Sequence, residues 1–201
     1  MQSESSETEV FRMFIAADIS DAQRTAAADL VARLKKGIQF TKARPSWSRV
    51  EGMHLTLKFM GDVDSTRVGE IGEAVAPAAV GVAPFAVSVG GLGVFPNARQ
   101  PRVLWIGVKE GAKVLCDLQA RIDRALRPLG FDPENRAFHP HLTLARIKAL
   151  SGVEALMDVV QSHKDSGLGT AQIDRLTLYR SQLAPEGSTY TVLHEWLLSG
   201  A

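Results

Sequence analysis

The tetrapeptide His54-Leu55-Thr56-Leu57 recurs unchanged as His141-Leu142-Thr143-Leu144, 87 positions later (141 − 54 = 87), and its placement in a strand decides the fold. In an extended strand alternate side chains share a face. Each histidine therefore points the same way as the threonine two residues on, and the leucines turn to the opposite face, toward a core. A single histidine at the start of an alternating strand is ordinarily an edge or core residue with its hydrogen bond satisfied. Two copies of the same polar pair, kept while the helices of the two halves diverge, call for a shared use.

Outward from these motifs the same order of elements appears twice. Phe11 to Ala17 reads as a short apolar strand, and Ser20 and Asp21 offer an N-cap for a helix from about Ala22 to Lys36, ended by Gly37. Gly37 to Gly52 reads as a loop around Pro45, followed by an alternating strand from Met53 to Phe59, a helix from about Thr66 to Ala79 and a strand within Phe85 to Leu92. The second half gives strand Val103 to Val108, helix Ala112 to Leu126, strand Leu142 to Ile147, helix Val153 to Ser162 and strand Ile173 to Tyr179. Offsets of 87 for Phe85 and Gln172 (172 − 85) and 90 for Arg12 and Arg102 (102 − 12) agree with a duplicated strand-helix-strand-helix-strand unit. The expected fold is α+β: a bilobal duplicated domain of two mainly antiparallel sheets with outer helices and an active-site cleft at the pseudo-twofold. Residues 1–9, polar and acidic, read as a disordered tail; residues 10–201 read as one domain, with lobes of about 10–95 and 102–181 and a closing strand 189–197.

Composition narrows the partners. With 45% hydrophobic and 22% charged residues in 201, the chain fits one globular domain, and a formal charge of +1 leaves any polyanion to be held by a local basic patch. A protein that wraps long duplexes is disfavoured. The single cysteine, Cys116, excludes an internal disulfide and reads as an inert residue of a reducing cytoplasm. The uncharged run from Ala74 to Phe95 is long enough to span a bilayer, but it carries Pro77, Pro84 and four glycines. A helix end, a loop and a buried strand explain it better, so no membrane association is expected.

Two imidazoles and two hydroxyls facing one cleft meet the needs of in-line attack on a phosphodiester. A neutral imidazole takes a proton from water, an imidazolium gives one to the leaving oxygen, and hydroxyls hold the phosphoryl oxygens. The residues alone do not say which histidine is the acid. His139 and His141 form a His-x-His pair with metal-ligand spacing, but Gly52 occupies the matching position in the first copy and Pro140 interrupts the pair, so no metal is expected. Lys35, Lys36, Lys42, Arg44 and Arg49, interleaved with Phe40 and Trp47, have the composition of a patch for a single-stranded RNA end; a solvated loop is the plain alternative. Phe14 and Phe95 read as core, and His163 and His194 as structural or surface residues.

Five ordered segments resemble one family: Arg12-Met13-Phe14-Ile15-Ala16, His54 to Gly61, Gly90 to Pro96, Pro140 to Arg146, and Leu178-Tyr179-Arg180-Ser181. Together they resemble the two-histidine phosphoesterases, in particular the RNA 2',3'-cyclic phosphodiesterase branch, also called 2'-5' RNA ligase-like or LigT-like. The resemblance implies metal-independent hydrolysis of an RNA terminal 2',3'-cyclic phosphate to a 2'-phosphate, without a cofactor. It implies His54 as proton donor to the departing 3'-oxygen and His141 as proton acceptor from water, with Thr56, Thr143 and Arg146 binding the phosphate. It also allows Phe14 or Phe95 to touch the base. Strict alternation puts Arg146 on the face of Leu142 and Leu144, so that role requires the strand to end or twist there. The expected partner is an RNA 3' end bearing a cyclic phosphate, or a small nucleotide, bound by a cytoplasmic monomer. The alternatives are a relative acting on another cyclic phosphate, reversible 2'-5' RNA ligation, and a non-catalytic RNA-end binder, for which loss of one motif histidine would be expected.

Overall fold

In the computed structural model, which describes residues 9–38, 44–134, 136–148, 152–184 and 187–200, both motifs open strands that border one cleft. The tail expected over residues 1–8, and Phe40 and Lys42 of the basic run, lie outside the described residues. The strands are β1 (Val10–Asp18), β2 (Pro45–Trp47), β3 (His54–Asp64), β4 (Phe85–Phe95), β5 (Val103–Glu110), β6 (His141–Ile147), β7 (Gly167–Ile173), β8 (Arg175–Ala184) and β9 (Gly187–Leu197). The helices are α1 (Asp21–Ile38), α2 (Val68–Ala79), α3 (Ala112–Leu126) and α4 (Val153–Ser162).

Two antiparallel sheets form, in the orders β3-β1-β8-β9 and β2-β6-β5-β4-β7. Each sheet draws strands from both halves of the sequence: β8 and β9 complete the sheet of β1 and β3, and β4 crosses to the sheet of β5 and β6. The α+β architecture with outer helices is as expected. The strand expected over Ile173 to Tyr179 is divided at Asp174, with Ile173 ending β7 and Arg175 to Tyr179 lying in β8. β7 opens with Gly167-Leu168-Gly169-Thr170-Ala171, whose small residues carry little strand signal, and β2 sits in the segment read as loop. The uncharged run from Ala74 to Phe95 resolves into the end of α2, a loop and β4, and no helix among the described residues is long and apolar enough to cross a membrane.

Local chemistry sets the helix boundaries. Ser20 Oγ accepts from the Gln23 backbone N–H at 3.2 Å, while the Ser20 N–H donates to Gln23 Oε1 at 3.3 Å, a reciprocal cap at the start of α1. The buried Gln23 amide then donates to the carbonyls of Val87 (3.3 Å) and Gly169 (3.1 Å), fastening α1 to β4 and β7. Leu115, Leu118, Ile122 and Leu126 form the buried stripe of α3. The motif leucines reach the same core: Leu55, Leu142 and Leu144 are fully buried and Leu57 is nearly so.

Register carries the duplication into space. Asp18 lies opposite His54 in the β1–β3 ladder and Gly107 lies opposite His141 in the β5–β6 ladder, so the first strands correspond with an offset of 89 (107 − 18). That differs by one from the 90 suggested by Arg12 and Arg102. The counterpart of β4 is β8, because each pairs with the first strand of the opposite unit.

Candidate active site

Both ladders skip a residue at the same place. In β1–β3 the pairing moves from Lys58 opposite Ile15 to Thr56 opposite Ala16, leaving Leu57 as the extra residue. In β5–β6 it moves from Ala145 opposite Leu104 to Thr143 opposite Trp105, leaving Leu144 extra. A bulge of this kind puts two consecutive side chains on one face and reverses the alternation beyond it. Leu57 and Lys58 are accordingly both buried, as are Leu144 and Ala145, and the residues that follow, Phe59 and Arg146, emerge on the cleft face. The twist that Arg146 needed is therefore present, and its first-copy counterpart is Phe59. Sequence alternation alone missed Phe59, although the second motif offered a clue in the arginine at the same spacing.

The cleft has a volume of about 540 Å³ and is lined by His54, Thr56, His141, Thr143 and Arg146 together. Arg12, Phe14, Phe59 and Tyr190 complete the wall around the motif residues, and Trp47 and Arg49 come from the basic segment. Of that run, Arg44 is exposed and does not line the cleft, while Lys35 reaches back to lie 5.7 Å from the Trp47 ring centre. Phe14 is buried, as read from the sequence, yet its ring stacks on His54 at 4.4 Å between centroids; Phe95 meets His141 edge-on at 5.1 Å.

The histidine rings are held in matching ways. His141 Nδ1 lies 2.6 Å from the carbonyl oxygen of His139, two residues back. His54 makes the corresponding bond to the backbone of Gly52, also two residues back, and this bond favours its protonated form, as donation to a carbonyl does. For His141, using Nδ1 as donor leaves Nε2 free to exchange a proton in the cleft. His139 thus contributes its backbone, while its side chain is exposed. Among the described residues no group of three or more His, Cys, Asp or Glu is placed to hold a metal ion. His163 caps the end of α4, with Nδ1 3.0 Å from the Val159 carbonyl, and His194 packs on Trp196; neither lines the cleft.

Burial under the aromatic rings pulls His54 from its ordinary value of 6.5 down to about 4, opposed by the Gly52 carbonyl and Asp18. Burial also lowers His141, opposed by the His139 carbonyl. Burial thus favours the neutral form of both rings. A phosphate between them favours the charged forms, because an anion stabilises imidazolium through charge and hydrogen bonding.

Comparison with known proteins identifies the family. Residues 22–184 match the family model of the 2'-5' RNA ligase superfamily. The chain is 36% identical over 165 residues to an RNA 2',3'-cyclic phosphodiesterase of Aeropyrum pernix, covering 82% of this chain and 93% of that protein. It is 34% identical over 180 residues to one of Methanothermobacter thermautotrophicus, covering 90% and 95%. Among solved structures, a phosphoesterase superposes with a TM-score of 0.74 at 24% identity, covering 95% of this chain and 99% of that one. Escherichia coli LigT complexed with 3'-AMP gives 0.70 at 22% identity, covering 95% and 99%. The chain belongs to the 2'-5' RNA ligase superfamily.

Proposed function

We propose that this protein hydrolyses the 2',3'-cyclic phosphate at an RNA 3' end to a 2'-phosphate. The observation that carries the reading is the arrangement of two imidazoles and two threonine hydroxyls on one cleft, with His141 anchored through Nδ1. Relatives that share about a third of its residues across most of its length are RNA 2',3'-cyclic phosphodiesterases, which supports the same substrate class. Water attacks phosphorus while His141 Nε2 takes its proton; the P–O3' bond breaks and His54 delivers a proton to the departing oxygen. Thr56 and Thr143 donate to the phosphoryl oxygens, and Arg146 offsets the negative charge that grows in the transition state.

Arg12, Arg49 and Arg146 on the cleft wall supply the local positive charge that the net +1 of the chain does not. The acting species is read as a monomer in the cytoplasm, a compartment that suits the single, unpaired Cys116. The test is incubation with an RNA oligonucleotide ending in a 2',3'-cyclic phosphate, with and without exhaustive chelation. The expected product resists enzymes specific for 3'-phosphates and forms equally with chelator present. A 3'-phosphate as sole product would reverse the roles of His54 and His141, and loss of turnover on chelation, restored by zinc or manganese, would replace proton transfer by metal chemistry.

A further inference from the structure

The two motifs are equivalent, but what stands behind the two histidines is not. Opposite His54 in the β1–β3 ladder is Asp18, and opposite His141 in the β5–β6 ladder is Gly107. Residues directly opposite in an antiparallel ladder project to the same face, so at that position one histidine faces a carboxylate and the other only backbone, Glu134 being the weakest of the influences on His141. The next ring differs as well. Tyr179 pairs with Phe14 and Phe95 with Val103, equivalent positions of the two ladders, so a phenol in one unit is matched by an apolar ring in the other. The Tyr179 hydroxyl donates to Asp18 Oδ2 at 2.7 Å, and Thr177 Oγ1 approaches the same oxygen at 3.4 Å.

We propose that Asp18, held by Tyr179, is a positioning residue that opposes the burial of His54 and so helps it carry the proton as the acid, a support that the ladder does not give to His141, the base. The proposal rests on the phosphodiesterase reading for its consequence, but the coupling of Asp18 to His54 stands apart from it. A second cavity of about 320 Å³ is lined by both Asp18 and His54 together with Arg24, Glu51 and Tyr190, and its lining does not include Thr56 or His141. Charged and titratable groups surround His54 from each packed element: Asp18 on β1, Arg24 on α1, Arg49 and Glu51 in the preceding turn, Tyr179 on β8, Tyr190 on β9, and His141 and Arg146 across the cleft. Arg24 is the main opposing charge, but its Nη1 is engaged by the carbonyls of Val50, Glu51 and Met53 at 3.3, 2.9 and 2.8 Å, and its Nη2 lies 3.6 Å from Asp18. Its effect on His54 is smaller than that of Asp18. The guanidinium thus fixes the turn whose Gly52 carbonyl orients His54, and it also pairs at longer range with the carboxylate that faces the ring.

The two substitutions should act with opposite signs. In Asp18→Asn the carboxylate is lost without a change of shape, so the His54 titration midpoint falls and that of His141 stays. In Tyr179→Phe the carboxylate loses a donor, its charge falls more fully on the ring, and the His54 midpoint rises. The experiment is an NMR titration of both rings, assigned with His54→Gln and His141→Gln, in wild type and the two variants. It is paired with kcat/KM against pH on an RNA cyclic phosphate. Above neutrality the rate follows the fraction carrying a proton on His54, so a one-unit fall in its midpoint lowers kcat/KM about tenfold. A His54 midpoint unmoved in both variants, or both rings moving together, overturns the proposal. If the cyclic phosphate is not turned over, the ring titrations still decide the coupling, and only the catalytic reading fails.

Discussion

At the scale of single residues, the proposed mechanism has two half-buried imidazoles share one proton. Because acid and base act in one transfer, His54→Ala and His141→Ala should each remove nearly all turnover, and the double variant should be scarcely worse than either. Steady-state kinetics on an RNA cyclic phosphate measure this, and a single variant at wild-type rate would remove the mechanism. The same burial has a signature in stability. His54 is lowered to about 4 in the folded chain, against 6.5 as its ordinary value, so between these limits the unfolded chain holds the extra proton. The stabilisation is complete above 6.5 and is lost as pH falls toward 4, with His141 acting in the same direction. His54→Gln should therefore lose less Tm than the wild type between pH 7 and pH 4.5, in thermal melts read by circular dichroism. An equal loss in both would show that the ring is more solvated than its surroundings imply.

At the scale of elements, the strand motifs were legible because a period of two is a strong signal: His54, Thr56, His141 and Thr143 were placed on one face by alternation alone, and they line one cleft. What alternation could not show was the bulge. Leu57 and Leu144 look like ordinary members of an alternating strand, and the skipped pairing at each depends on the neighbouring strand, which lies far away in sequence. Arg146 was recovered through family likeness, and Phe59 was not recovered at all. The bulge leaves Lys58 on the buried face, where its ammonium meets Asp123 of α3 at 2.6 Å and the Asp132 carbonyl at 2.6 Å, with the side chain only 3% exposed. An aliphatic stem with a charged tip inside a core is tolerated only with such partners. Lys58→Met should keep the packing but strand the Asp123 carboxylate, costing about 3–5 kcal/mol in urea unfolding. Adding Asp123→Leu should recover part of that loss, because the stranded charge is then gone. A loss from Lys58→Met no larger than an ordinary surface substitution gives would mean that the ion pair does not hold β3 to α3.

At the scale of the whole molecule, duplication is visible in the sequence but the exchange of strands is not, because the pattern of either half is consistent with a lobe closed on itself. The topology differs: β1 and β3 find their next neighbour in β8, some 160 residues along the chain, and β4 has no partner in its own half. The helices cross in the same sense, with α1 packing on β7 and α3 on β3. A chain cut in the turn between β4 and β5 would leave β1 with one neighbour in place of two and β4 with both edges bare, and bare apolar edges neither fold alone nor stay apart. Residues of both halves share one hydrophobic core. A fragment ending near Asn97 and one beginning near Gln100 should therefore each be unfolded or aggregated when expressed alone, and should regain strand signal and cleft chemistry when expressed together. The intact chain should unfold in a single transition, coincident by circular dichroism and by fluorescence of Trp47, Trp105 and Trp196, which report from both sheets. Either fragment folding on its own, with a melt of its own, would mean that the sequence repeat is also an independent folding unit and that the strand exchange adds little to its stability.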